Sequence, residues 1–126
     1  MINERAKYTA NTGVGLLSVA NANIDGTGTL VTIITGNSNG TLVKTITCKG
    51  TVSTTRGMIR IYVDNRVITG LLCEIEVPAV TASAVDHSFS ETIDLNFKLQ
   101  SGDILKASTL NGTNFQVVAD GLDWAY

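Results

Sequence analysis

The one histidine of the chain, His87, stands between Asp86 and Ser88, so the three residue types of a hydrolytic triad occur in a row. A triad needs hydroxyl, imidazole and carboxylate brought together from separate segments with the ring between the other two. Three adjacent residues cannot adopt that geometry, and His87 reads as a loop histidine. Glu74 and Glu76 come nearest to a carboxylate pair, since i and i+2 share one face of a strand. Glycosidase carboxylates instead flank the scissile bond across a cleft. With one Trp and three Tyr in the chain, no sugar-binding platform is visible around them, and they read as a solvated strand face.

Gly13-Val14-Gly15 and Gly26-Thr27-Gly28 lack the third glycine and the following helix of a dinucleotide loop. Both read as turn glycines. The aspartates are scattered, without the spacing of a calcium loop. Cys48 and Cys73 have no CxxC or histidine companion and are too few for a zinc site or a disulfide scaffold. They are expected as reduced core residues, with a Cys48–Cys73 bridge between neighbouring strands as the alternative. The residues thus point away from an enzyme and call for no cofactor or metal.

What positions these side chains is a succession of short strands. Pro78 is the only proline, glycines number 12, and Thr, Val and Ile recur throughout, a mixture that favours pleated strands joined by tight turns. Residues 93–99 alternate strictly, with Ile93, Leu95, Phe97 and Leu99 on one face and Asp94, Asn96 and Lys98 on the other. Ile59, Ile61 and Val63 oppose Arg60 and Tyr62, and Cys73, Ile75 and Val77 oppose Glu74 and Glu76. Phe115, Val117 and Ala119 repeat the pattern, and further strands are expected at 14–20, 29–35, 41–49 and 103–109. Asn and Gly between residues 36 and 40 signal a hairpin turn, and Asn65-Arg66, Gly102-Asp103 and Asn111-Gly112 mark three more turns. About eight strands with this turn spacing predict an all-β fold, a single antiparallel, jelly-roll-like β-sandwich. The small, polar stretch from Ala79 to Ser90 is the expected crossover between its sheets.

A chain of 126 residues and 13.3 kDa fits one such domain. Its 9 basic against 11 acidic residues give a net charge of −2 without a basic run, which argues against nucleic acid and against a polybasic membrane anchor. No apolar run approaches the roughly 18 residues of a spanning helix, and the first residues are polar where a signal peptide is apolar. Residues 1–12 carry Glu4, Arg5, Lys7 and Tyr8 with little to bury. They are expected to form an N-terminal arm ahead of a sandwich domain at 13–126. Trp124 and Tyr126 place two large aromatics at the other end, and aromatics are enriched at interface centres.

Four stretches carry a family resemblance. They are Ser38-Asn39-Gly40-Thr41 ahead of a strand ending at Thr47, then Thr54-Thr55-Arg56-Gly57-Met58-Ile59-Arg60-Ile61-Tyr62. Leu72-Cys73-Glu74-Ile75-Glu76-Val77-Pro78-Ala79 follows, and Leu99 to Thr109 with Phe115 to Gly121 completes the set. In order and spacing, over residues 29–123, they resemble small β-sandwich structural proteins of tailed bacteriophages, of the head-decoration, cement and head-fibre type. Gln100-Ser101 stands where Pro-Ala is commoner in that family.

The resemblance implies a non-enzymatic virion protein made in the host cytoplasm. It would bind other virion proteins, the major capsid protein foremost, as a homotrimer. The arm and the Trp124–Tyr126 end are its expected contacts. A carbohydrate- or receptor-binding module on the same fold is the alternative, and it would gather Tyr62, Trp124 and Tyr126 on one surface.

Overall fold

The computed structural model describes residues 7–125. Eight strands follow one another: β1 (Lys7–Leu17), β2 (Val31–Thr35), β3 (Thr41–Gly50), β4 (Gly57–Asp64), β5 (Thr69–Val77), β6 (Ser90–Leu99), β7 (Ile104–Thr109) and β8 (Phe115–Ala125). Among the described residues there is no helix, and hence none long and apolar enough to cross a membrane.

Two antiparallel sheets of four strands pack face to face, ordered β1-β8-β3-β6 and β2-β7-β4-β5. Only β4 and β5 form a sequential hairpin; every other connection leads from one sheet to the other. This interleaved order is that of a jelly roll. The Gly36–Gly40 turn is therefore not the hairpin its Asn and Gly residues signal. It carries the chain from β2 in one sheet to β3 in the other, where β2 pairs with β7 and β3 with β6 and β8. Gly102, at φ +82, turns the chain between β6 and β7, and the two crossovers are pinned together by Gly102 N to Gly36 O (3.0 Å) and Gly36 N to Asp103 O (2.8 Å). Pro78 to Phe89 crosses between the sheets as expected from its composition.

Inward-facing residues of both sheets make the core, with Val43, Ile46, Ile59, Ile61, Leu105 and Val117 fully buried. Burying such a side chain contributes about 1.5–3 kcal/mol. A one-residue slip would forfeit that along a whole strand, which fixes the register. Where strict alternation would turn Ile46 outward, a bulge restores it: β3 gains a residue against β8 between Val43 and Thr45, and β6 gains one against β3 at the same level. Asn96 of β6 takes φ +49 there, a conformation asparagine tolerates better than most residues.

Three expectations are corrected. Lys7–Thr12 are not an arm but the first half of β1, paired with β8 from Lys7↔Ala125 onward. Gly13 and Gly15 are not turn residues either. They lie inside β1 where it meets β2, and a Cβ on Gly13 would run into the Ile33 carbonyl oxygen, one on Gly15 into Ile33 Cδ1. Only glycine lets the two edge strands approach so closely. Gly26 and Gly28, both at φ +84, are turn glycines as read. Lastly, Cys48 and Cys73 are unbridged as expected, but only Cys48 is a core residue; Cys73 is half-buried.

Candidate functional site

The two sheets differ in what covers their outer faces. On the β2-β7-β4-β5 sheet, the segment 18–30 lies across the outer face. Ala20 bridges to Thr109, and Asn21 N donates to Thr109 O at 2.8 Å. The buried Asn21 side chain holds the segment's own turn by donating to Thr27 O and Thr29 O. Tyr62 lies under this cover, fully buried, with its hydroxyl donating to Asn23 O at 2.8 Å. Its expected place on an exposed aromatic surface is thus overturned. Beside it Arg60 is buried and paired through Nε with Glu74 at 3.1 Å, so Glu74 is committed to a neighbour rather than to Glu76.

The outer face of the β1-β8-β3-β6 sheet has no such cover among the described residues. Its register sets Tyr8 beside Trp124, Ala10 beside Leu122 and Leu42, Thr12 beside Asp120 and Thr45, Val14 beside Val118, and Leu16 beside Gln116. An antiparallel sheet open to water normally turns polar residues outward. Here Val14 and Leu16 are 52% and 69% exposed, and Tyr8 is 52% exposed. Along β1 this apolar stripe runs about 27 Å at ~3.4 Å per residue, two strands wide. It is broken by the Thr12-Asp120 pair, and on the β8 side it ends at Gln116. Toward β6 the face becomes polar, with Thr47 and Thr92 hydroxyls 2.9 Å apart and Lys98 and Asp94 exposed.

Trp124 is held by its neighbours on β8. Asp123 faces inward, where its Oδ1 accepts from Asn11 Nδ2 at 2.9 Å and Thr41 Oγ1 at 2.6 Å, tying β1, β8 and β3 together. Alternation then turns Trp124 outward, and its backbone N–H donates to Gly40 O at 3.1 Å. Its ring meets that of Tyr8 with centroids 4.4 Å apart and planes inclined at 47°. Of the expected contact residues, Lys7, Tyr8 and Trp124 therefore fall on adjoining ends of β1 and β8. Glu4, Arg5 and Tyr126 lie outside the described residues.

The Asp86-His87-Ser88 run is spent on local structure. The Ser88 hydroxyl donates to Val52 O, the His87 ring meets the Ser88 carbonyl at 2.9 Å, and Asp86 accepts from the Ser83 hydroxyl at 3.3 Å. Among the described residues no group of three or more His, Cys, Asp and Glu side chains is placed to hold a metal ion.

The outer stripe was missed in the sequence because its rows combine residues far apart in the chain. Val14 and Leu16 were the available signal, two apolar residues alternating with glycines, and Gly13 and Gly15 face inward. No family model matches this chain, and neither does any curated protein sequence.

Proposed function

We propose that the chain is a non-enzymatic structural protein of a bacteriophage virion, a capsid-decoration, cement or head-fibre component. It acts as a homotrimer that binds other virion subunits, the major capsid protein foremost, and it is made in the host cytoplasm. The observation that carries this reading is the uncovered apolar stripe from Tyr8 and Trp124 to Leu16 on the outer face of a four-stranded sheet. Contiguous exposed apolar surface on a folded domain marks a docking site, and a repeated lattice contact needs a stiff, reproducible one. The jelly-roll order adds support by analogy, since viral capsid domains share it. Antibodies against the folded chain should decorate purified particles of the phage that carries it. Label confined to the unassembled fraction of the lysate overturns the reading.

One observation favours a second reading, a carbohydrate- or receptor-binding module: lectin domains also use this fold, and Tyr8 with Trp124 offers a paired aromatic surface. It would show as saturable binding on a glycan array that Trp124→Ala abolishes. Tyr62 takes no part in either reading, being buried.

A further inference from the structure

The sandwich is closed tightly along β1 and β2 and open along its other side. There β5 and β6 are the outermost strands of their sheets, and a groove of about 1060 Å³ opens between them. Pro78, Val80 and Phe89 of the crossover line it as well. Its wall is apolar and incompletely sealed: Cys73 and Ile93 pack against the core from inward-facing positions, yet both are only partly buried.

Two features say what fits it. Each flanking strand has one side unpaired among the described residues, and a free strand edge presents a row of backbone donors and acceptors that an extended chain satisfies. A strand added to either edge lies across the mouth and covers the apolar wall. The second feature is charge. Glu91 occupies an inward-facing position on β6, opposite Cys48 of β3, where its neighbours in the row are apolar. It has no ion pair among the described residues. Of the other charged groups lining the groove, Glu74 is committed to Arg60, which leaves Glu76 and Glu91 as carboxylates against Arg56.

We propose that this groove binds an extended polypeptide segment of another protein, bearing apolar side chains at alternate positions and a Lys or Arg set against Glu91. The lining of β5 runs from Cys73 to Val77, about 14 Å at ~3.4 Å per residue step, so the segment engages about five residues. A second copy pairing edge to edge through β5 is disfavoured, because it would bring two sets of Glu74 and Glu76 together. This surface is separate from the outer stripe, and its partner need not be the one that docks there.

The test is selection of the full chain against a library of random peptides about twelve residues long, followed by amide chemical-shift mapping with the enriched peptides. Sequences alternating apolar residues with at least one Lys or Arg are expected, with shifts along Cys73–Val77 and Ser90–Ile93. Glu91 is exposed, so Glu91→Lys should keep its thermal midpoint while binding falls by about tenfold or more, with Glu91→Gln in between. No enrichment over background, enriched peptides without a basic residue, or shifts mapping to the β1-β8 face would overturn the proposal. Loss of particle labelling with peptide binding intact would count only against the virion reading.

Discussion

Tyr8 and Trp124 are direct cross-strand partners on the outer face of the β1-β8 pair, their ring centroids 4.4 Å apart. The register therefore joins a residue near the beginning of the chain to one near its end. The polar cluster of Asp123 with Asn11 and Thr41 fixes the same strand ends from the inner face.

Aromatic pairs of this kind contribute about 0.5–1.5 kcal/mol beyond the area they bury. A double-mutant cycle of Tyr8→Ala and Trp124→Ala, followed by urea unfolding, should return a coupling energy in that range. Strict additivity would mean that the rings do not interact in solution.

Gly13→Ala places a methyl group against the Ile33 carbonyl and Ile34 Cβ, the latter 2.7 Å away. Overpacking of this kind costs about 1–3 kcal/mol, so the urea midpoint should fall markedly. Gly70→Ala is the control: nothing lies within 4 Å of its added Cβ, and its effect should stay within about 0.5 kcal/mol. Equal effects at both positions would contradict the close approach of β1 to β2.

Burial, with Cys73 and Glu91 adding to it, pushes the Cys48 thiol from 9.0 up to about 12. The unfolded chain gives up this proton first as pH rises past about 9, so the native state binds more protons than the unfolded one and stability falls with increasing pH. The slope from this one group approaches ~1.4 kcal/mol per pH unit. Urea unfolding from about pH 8 to about pH 10 should show a steeper decline in the wild type than in Cys48→Ala. Parallel curves would place Cys48 in a more solvated site.

How much of this was legible follows from what a local pattern encodes. The alternation of Ile93, Phe97 and Leu99 placed them inward, and Gly102 marked a turn that brings the chain back across the sandwich, as the structure has it. The Gly36–Gly40 signal announced a reversal equally well, but a turn does not say which sheet receives the next strand. Tyr62 was correctly opposed to Ile61, yet alternation cannot reveal that residues 18–30 fold over that face. Lys7–Thr12 showed no apolar alternation because Thr9 and Asn11 face inward there, and only pairing with β8 makes them a strand. The apolar outer stripe was hidden for the same reason, since every row combines β1 with a strand about a hundred residues away.

The proposed virion role is put to the test by quantifying the chain in gradient-purified particles of a phage that encodes it, wild type against the double variant Val14→Lys, Leu16→Lys. Both positions face outward and are more than half exposed, so the variant should fold with an unchanged thermal midpoint. If the stripe docks on the capsid, wild-type chain is present in fixed proportion to the major capsid protein, and variant chain is soluble, folded and absent from the particles. Equal incorporation of both, or no wild-type chain in the particles, would contradict it.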